Sequence, residues 1–336
     1  MKTARIAEVA VVVCLLLAVA QAQDKKREEA NQLLRAAYES SCLTSSLTPY
    51  EMVSSLNFEQ LVTGNAAGSL HRNWADEKNV IQAIRVADYQ MVTATKDGKH
   101  YRFENLDFMP AQIAPLLRLA PPFCLRLDDT DIVKKISNRK VDGVEARCIA
   151  YDTVRGRVTL AHEACVQTGV PGVAPPPAVL LSYRENEKEY RWSGYESFDG
   201  RMLPEHMEMF RNGSRMINGA IRYADWKPGA EAIVLPEGIK EVPTCRQRVM
   251  PLVKSQTPPI YPLGAANQKG LIHEVTVDIK IGVDGKVKAT QLVETGSKPF
   301  DDAALEAVKN WTFSPSMCDG KPDERQIQVT VKFHRF

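Results

Sequence analysis

The chain has 336 residues, of which 44% are apolar and 25% are charged, and these proportions are ordinary for a globular protein. Its 43 Lys and Arg residues and 41 Asp and Glu residues give a formal net charge of +2 at pH 7. This balance gives no electrostatic reason to expect nucleic acid or an anionic membrane surface as a partner. At the usual domain size of about 100–200 residues, the length favours two domains.

The first 22 residues have the features of a cleaved export signal. Lys2 and Arg5 precede an apolar run at residues 9–20, and an Ala-Gln-Ala sequence that ends at Ala22 offers a cleavage site. An uncleaved membrane anchor is the alternative. As a helix rising about 1.5 Å per residue, however, the apolar run reaches only ~18 Å across a hydrocarbon core of ~30 Å. Residues 1–22 are therefore predicted to be a signal peptide, and the protein is predicted to act in the periplasm.

The cysteines favour disulfides over a metal site. Cys14 lies within the predicted signal peptide, and the other cysteines form an even set without a C-x-x-C or His-rich cluster, as is typical of exported proteins. Cys148 and Cys165 flank two predicted strands joined near Arg155-Gly156. Adjacent strands bring such positions within the roughly 7 Å between Cα atoms that a disulfide requires. The two further predicted pairs are Cys245 with Cys318 and Cys42 with Cys124.

Residues 24–230 are predicted to form a β-rich domain that begins with a helix. Residues 24–39 place apolar side chains on one helical face. The following short runs are separated by dipeptides that tolerate the positive φ angles of tight hairpins. These dipeptides are Asp97-Gly98, Asp142-Gly143, Asp199-Gly200 and Asn212-Gly213. Residues 110–119 are predicted to form one or two helical turns across a sheet face, and the proline-rich residues 169–178 a surface loop.

Residues 231–255 lack periodicity and carry several prolines, so they are predicted to connect two domains. Beyond residue 256 the pattern is sharper. Apolar residues alternate with polar ones at positions 275–283, as in a half-buried strand, and Asp284-Gly285 turns the chain into a second strand. A helix and a third alternating strand follow. This order predicts an α+β fold, with one helix packed on a small antiparallel sheet.

The helix of this second domain is predicted to begin at Asp301. Asp301 would cap the helix, and Phe300 before the cap would pack on Leu305. The residues predicted to form its buried stripe are Ala304, Leu305, Val308 and Trp311.

Residues 256–336 resemble the C-terminal domain of TonB, the energy transducer that contacts outer-membrane receptors. The motifs that carry the resemblance are Pro259-Ile260-Tyr261-Pro262, Gly270, Val283-Asp284-Gly285-Lys286-Val287, Asp301-Asp302-Ala303-Ala304-Leu305, Trp311-Thr312-Phe313-Ser314-Pro315 and Gly320-Lys321-Pro322. The family usually has Gln at the place of Pro258. We expect no counterpart of the anchor helix and long Pro-rich spacer of an energy transducer. The resemblance therefore implies receptor contact and leaves energy coupling open.

Residues 24–230 are similar, on fewer motifs, to the LolA-like lipoprotein-carrier family. The motifs are Gly68-Ser69-Leu70 followed by Trp74, and Tyr195-Glu196-Ser197-Phe198-Asp199-Gly200 followed by Pro204. This similarity implies a curved antiparallel β-meander with helices against its concave side, and a lipid as its ligand. It also implies an alternative function, a lipid or lipoprotein carrier with a TonB-like docking domain.

No motif of an enzyme is present, because the sequence contains no HExxH, no Gly-x-Ser-x-Gly and no phosphate loop. We expect neither catalysis nor a cofactor or metal. The predicted function is that of a periplasmic protein of the TonB family. It would bind a peptide of a TonB-dependent outer-membrane receptor, in transport across the outer membrane.

The predicted receptor site is the edge of the last strand, where unpaired N–H and C=O groups can accept an added strand. Alternation predicts that four of its side chains face the helix and three face outward. The inward residues are Ile327, Val329, Val331 and Phe333, and the outward ones are Gln328, Thr330 and Lys332. Pro259 and Pro262 hold Tyr261 extended nearby. Its ring is predicted either to contact the peptide or to pack on its own domain.

Overall fold

A computed structural model gives the structure of the chain. It describes residues 2–43, 48–61, 64–110, 113, 116–117, 125–155, 158–169, 177–227, 233–262, 272–294 and 297–334. The chain forms two compact units. Unit 1 consists of Met1–Glu59, Ala67–Glu77 and Pro115–Ala230, and unit 2 consists of Gln60–Ala66, Lys78–Ala114 and Glu231–Phe336.

Most of the secondary structure is antiparallel β-sheet. The helices with described bounds are α1 (Lys2–Ser41) and α2 (Lys298–Lys309). The strands are β1 (Tyr50–Leu61), β2 (Gly64–Asp76), β3 (Asn79–Val86), β4 (Tyr89–Lys96), β5 (Lys99–Glu104), β6 (Asp131–Val141), β7 (Val144–Arg155), β8 (Val158–Thr168), β9 (Ala178–Glu185), β10 (Lys188–Phe198), β11 (Arg201–Arg211), β12 (Ser214–Asp225), β13 (Lys240–Val242), β14 (Arg248–Val249), β15 (Val253–Ser255), β16 (Ile272–Ile281), β17 (Val287–Glu294), β18 (Thr312–Phe313), β19 (Ser316–Cys318), β20 (Lys321–Asp323) and β21 (Arg325–His334).

The sheet of unit 1 is an antiparallel meander from β6 to β12, in which sequence neighbours pair, and β1 pairs with β12 to continue it. Its hydrogen-bonded order is β2-β1-β12-β11-β10-β9-β8-β7-β6. Tight turns with positive φ join β6 to β7, β10 to β11 and β11 to β12 in this sheet, and Asp97-Gly98 makes the same kind of turn between β4 and β5 of unit 2. All four predicted dipeptides have positive φ at both residues, which confirms the hairpin turns. A further turn lies at Asn186, which has φ of 52°. It was not predicted from the sequence, because no glycine follows Asn186.

Helix α1 is continuous through residues 24–39, which confirms the helix predicted there. Ala30, Leu34 and Ala37 are buried along it. The Arg27 guanidinium donates to the carbonyl oxygen of Asp131 at 3.0 Å, so the helix also makes polar contacts with unit 1. The helix extends back to Lys2, across the predicted cleavage site, and cleavage stays a prediction. Among the described residues, no helix has an apolar stretch long enough to cross a membrane.

Five rings of unit 1 stack into a buried ladder. Tyr151, His162, Tyr183, Tyr190 and Trp192 follow one another across β7, β8, β9 and β10, and successive ring centroids lie 4.8, 5.8, 6.1 and 6.4 Å apart. His162 Nδ1 lies 2.8 Å from the hydroxyl of Tyr183. Each ring is less than a tenth exposed, so the ladder is part of the core of this unit.

The other face of β7 and β8 carries a disulfide. Cys148 and Cys165 lie directly opposite each other in the strand register, with 4.0 Å between their Cα atoms, and they are joined. Cys42 is also disulfide-bonded, and Cys124, its predicted partner, lies outside the described residues. Most of the predicted helical turns at 110–119 also lie outside the described residues, and residues 113, 116 and 117 among them are helical. Residues 170–176 of the loop predicted at 169–178 lie outside the described residues as well.

In its described residues, unit 2 contains four groups of hydrogen-bonded strands. Their orders are β13-β5-β4-β3, β17-β16-β21, β14-β19-β20 and β15-β18. Three of these strands, β13, β14 and β15, lie within residues 231–255, the predicted connection. β14 pairs with β19 and β15 with β18. Strands of two or three residues are too short to show a periodicity, and their partners lie about 60 to 140 residues away in sequence, so the pattern of residues does not reveal them.

Residues of α2 and of the sheet β17-β16-β21 share one hydrophobic cluster. Its buried members are Val275, Val277, Ile279, Ile281, Phe300, Ala304, Val308, Trp311, Phe313, Val331 and Phe333. Leu305, predicted to be buried, is partly buried beside the cluster. At the hairpin between β16 and β17, Gly285 has φ of 77° and a Cβ there would lie 2.1 Å from the carbonyl oxygen of Phe313. Both the positive φ and the close contact with Phe313 therefore require glycine at this position.

The predicted start of α2 is wrong. The helix begins at Lys298 with a proline in its first turn, and the Asp301 N–H already donates to the carbonyl oxygen of Ser297 at 2.9 Å. Pro299 is tolerated there because the first helical N–H groups have no partner within the helix. Asp301 thus lies inside the first turn. Phe300 is part of the helix and fully buried, not a staple before its cap.

Candidate partner-binding edge

Strand β21 lies at an edge of its sheet. It pairs with β16 in an unbroken antiparallel register, from Ile272 opposite His334 to Ile281 opposite Arg325. Strand β16 is central, because β17 pairs with its other side. Among the described residues, the side of β21 that faces away from β16 has no strand beside it. Its outward main-chain groups therefore have no strand partner within the part of the chain that the structure describes, which is typical of a sheet edge.

The side chains of β21 alternate as predicted. Val331 and Phe333 are buried, Ile327 and Val329 are partly buried against the hydrophobic cluster, and the three residues between them are exposed. These exposed residues are Gln328, Thr330 and Lys332. The hydrophobic positions hold the strand in place, so that its register in the sheet is fixed.

The hairpin indicates which main-chain groups of β21 point outward. The Gly282 N–H donates to the carbonyl oxygen of Lys286 at 2.9 Å, toward β17. The main-chain groups of successive residues in a strand point to opposite sides. Counting back along β16 from Gly282, the main chain of every second residue therefore faces β17. The main chain of the residues between them, such as Ile279, faces β21. The register partner of Ile279 is Ile327, whose main chain therefore faces β16. The residues that direct N–H and C=O outward are then Gln328, Thr330 and Lys332.

A polar network covers part of the sheet face opposite α2. Gln326 Nε2 donates to Asp278 at 3.0 Å and to the carbonyl oxygen of Met109 at 3.1 Å, and Gln326 Oε1 accepts the Met109 N–H at 3.2 Å. Lys280 forms an ion pair with Asp107 at 3.4 Å. Burial raises the pKa of the Asp278 carboxyl despite the hydrogen bonds that its oxygens accept from the amides of Gln326 and Gln328. This network ties the first residues of β21 to the segment around Met109.

The far end of β21 carries an exposed charge pair. Lys332 lies 2.8 Å from Glu274 of β16, and both side chains are about half exposed. Such pairs contribute at most about 1 kcal/mol. Charged side chains on an edge also discourage uncontrolled pairing with other chains, so this end of the edge is polar but not covered.

The ring of Tyr261 packs on its own domain. It meets Phe300 edge to face at a centroid distance of 5.3 Å, and Pro259 and Pro262 on either side are partly buried. The side chain that extends into solvent is Ile260, which is 83% exposed. Sequence reasoning missed Ile260 because a Pro-x-Tyr-Pro motif does not indicate which of its side chains faces the core.

Comparisons with solved structures concern mainly the N-terminal part of the chain. LolA superfamily protein NE2245 from Nitrosomonas europaea is 10% identical, with a TM-score of 0.34, over 58% of this chain and 90% of that one. A putative outer membrane lipoprotein-sorting protein domain from Vibrio parahaemolyticus is 9% identical, with a TM-score of 0.32, over 58% of this chain and 93% of that one.

The C-terminal part has relatives by sequence. Protein TonB from Vibrio cholerae serotype O1 is 35% identical over 83 residues, which are 24% of this chain and 34% of that protein. The chain thus spans about a third of the length of this curated relative. The TonB resemblance predicted from the sequence motifs is confirmed: residues 257–334 match the family described as Gram-negative bacterial TonB protein C-terminal.

Proposed function

We propose that this chain is a periplasmic, non-enzymatic protein of the TonB family that takes part in transport across the outer membrane. In this proposal β21 accepts an extended peptide of a TonB-dependent outer-membrane receptor as an added strand. The observation that carries it is the position of β21, an edge strand with one hydrophobic side fixed on the core. The family match over the same residues supports this class of partner.

The added strand would bind mainly through the main chain of β21. The outward N–H and C=O groups of Gln328, Thr330 and Lys332 would pair with the peptide, and main-chain bonds of this kind supply affinity with little dependence on sequence. Selectivity would come from side chains beside the edge. Tyr261 meets Phe300 edge to face, and Phe300 meets Phe333 of β21 in the same way. The neighbouring Ile260, which is 83% exposed, would offer an apolar contact near this strand.

The network around Gln326 limits the length of the binding edge. Gln326 is bonded to Met109 and Asp278, so a peptide meets the segment around Met109 at this end. At the other end, the Lys332–Glu274 ion pair is exposed, and breaking it costs little free energy. The peptide is therefore expected to pair along residues 328–332 and to extend beyond Lys332 rather than beyond Gln326.

The test is a titration of the full chain with synthetic peptides from the N-terminal segments of TonB-dependent receptors, followed by calorimetry. Thr330→Pro removes the outward N–H and adds a ring at the docking edge, and we expect binding to weaken by about tenfold or more, which corresponds to ~1.4 kcal/mol. Thr330→Val keeps the N–H and the branched shape, and we expect its affinity to match that of the natural chain.

Circular dichroism must show the same fold for both variants. Unchanged affinity in a folded Thr330→Pro chain would mean that the peptide does not add to β21. If no receptor peptide binds and the protein purified from periplasm carries a lipid by native mass spectrometry, the carrier function replaces this proposal.

A further inference from the structure

Unit 2 contains two cysteines that lie together without being joined. The Sγ atoms of Cys245 and Cys318 and a carboxylate oxygen of Asp319 all lie within 4.8 Å of one another. Both cysteines are thiols in the structure, Cys318 buried and Cys245 partly exposed. The two residues are far apart in sequence, so the fold brings them together.

The main chain around both thiols is fixed by several independent contacts. Arg248 and Cys318 lie opposite each other in the pairing of β14 with β19. The carboxylate of Asp319 accepts the backbone N–H groups of Arg246 at 3.2 Å and Gln247 at 2.7 Å. The Asp319 N–H in turn donates to the carbonyl oxygen of Gln247 at 2.9 Å. These bonds hold the turn after Cys318 against the residues after Cys245, so the two sulfur atoms stay close.

A soft metal ion is the alternative occupant, since two thiolates and a carboxylate are possible ligands. One feature opposes it. The oxygens of Asp319 already accept two backbone N–H groups, so this carboxylate has less capacity left for a metal ion.

We propose that Cys245 and Cys318 form a disulfide when the protein is exported, a step that rests on the periplasmic location proposed above. The oxidant would be the disulfide of a thiol–disulfide oxidoreductase. The thiolate of the more exposed Cys245 attacks one oxidant sulfur and the other leaves as a thiolate. Cys318, after losing its proton to solvent, then attacks the Cys245 sulfur and displaces the second oxidant thiolate. The two cysteines lose two electrons and two protons, and the oxidant becomes a dithiol.

This disulfide would fasten an arm, defined here as residues 245–257, to the TonB-like residues that follow it. The arm is already held at several points along its length. The Leu252 N–H donates to Ser314 Oγ at 2.8 Å, Val253 pairs with Phe313, and Trp311 Nε1 donates to the carbonyl oxygen of Thr257 at 2.9 Å. The covalent bond would fix the N-terminal end of the arm in place, so that the C-terminal structural unit would begin at Cys245 rather than at residue 256.

The test is peptide mapping of the full chain, isolated from periplasm with iodoacetamide present from lysis and digested without reductant. We expect the tryptic peptides that contain Cys245 and Cys318 to be found linked, and the link to be lost on reduction. In the Cys245→Ser chain, Cys318 should become alkylated after denaturation without reductant. Cys148 and Cys165 in the same digest report whether the compartment oxidises thiols.

Alkylation of both Cys245 and Cys318 in the natural chain would overturn the proposal. With Cys148 and Cys165 linked, export would stand and this pairing alone would fail; with them also alkylated, the periplasmic location would fail as well. Stoichiometric zinc or copper in the purified protein, together with thiols that become alkylated after chelation, would assign the cluster to a metal instead.

Discussion

The side-chain amide of Gln326 binds both backbone groups of Met109, donating to its carbonyl at 3.1 Å and accepting its N–H at 3.2 Å. The two residues are separated by 217 positions in sequence. The side-chain amide of Gln326 thus makes the pair of hydrogen bonds to a main chain that a neighbouring strand would make, directly beside the outward edge of β21. The contact links the candidate peptide site to a segment of unit 2 outside the TonB-like residues.

Replacement of Gln326 by alanine should destabilise unit 2. It removes three hydrogen bonds and leaves the partly buried groups of Met109 without them, which costs about 1–3 kcal/mol in the free energy of unfolding. Chemical denaturation measures this change. Gln291→Ala is the matched control, because Gln291 is exposed on β17, and its effect should stay within about 0.5 kcal/mol. Equal effects of the two substitutions would contradict a role for the Met109 contact.

The stability of the chain relative to an Asp278→Asn variant should depend on pH. Burial raises the pKa of Asp278 in the folded state, so the folded chain binds the proton more tightly than the unfolded chain does. The stability contributed by protonation is fully present below the unfolded pKa and is lost as pH rises through the folded pKa. The natural chain should therefore gain stability relative to Asp278→Asn as pH falls.

Denaturation of both chains at several pH values below neutrality provides the measurement. A flat difference would show that hydrogen bonds from Gln326 and Gln328 offset the effect of burial on the Asp278 pKa, and a difference that moves the other way would show that they outweigh it.

Loss of the Cys148–Cys165 disulfide should destabilise unit 1. The bridge closes a loop with a sequence separation of 17, and loops of this size contribute about 3 kcal/mol in the chain-entropy description. We expect the double variant Cys148→Ala, Cys165→Ala to lose roughly this much by urea denaturation under oxidising conditions. With reductant present, the difference in free energy of unfolding between the variant and the natural chain should narrow to the small packing cost of the lost sulfurs. A difference that persists would point to packing instead.

Substitution of Gly285 should be far more damaging than substitution of Gly143. Both have positive φ, where alanine costs roughly 1–2 kcal/mol. Around Gly143 a new Cβ meets nothing within 4 Å, whereas at Gly285 it lies 2.1 Å from the carbonyl oxygen of Phe313. Thermal unfolding should rank Gly285→Ala well below Gly143→Ala. Similar midpoints would mean that the β16–β17 hairpin relaxes without cost.

Local residue patterns predicted the parts of the fold that depend on neighbours in sequence. Turn dipeptides such as Asn212-Gly213 identified hairpins because their φ angles are a local requirement. Alternation in β21 predicted its buried face. The pairing of β14 with β19 was not predictable, because it joins very short strands that are distant in sequence. The helix start was misplaced because the capping preference of Asp301 competes with the tolerance of the first turn for Pro299.

The candidate site was predictable to a similar extent. The edge position of β21 follows from strand order in a small sheet. The packing of Tyr261 on Phe300 does not, since a motif fixes the backbone and leaves open which side of it meets the core. The contact between Gln326 and Met109 joins a side-chain amide to main-chain groups 217 positions away, and no sequence pattern marks such a pair.

The aromatic ladder gives unit 1 an optical reporter of its own. Trp192 lies at the end of a stack of tyrosine and histidine rings, close enough for excitation absorbed by Tyr190 and Tyr183 to reach the indole. Trp311 lies buried in the cluster of unit 2, in a different environment. Trp74 of the same unit stacks on Tyr50 with 5.6 Å between ring centroids, so fluorescence excited through tyrosine would weight Trp192 and Trp74. A chain that retains only Trp192 or only Trp311 would follow the loss of each core separately during unfolding.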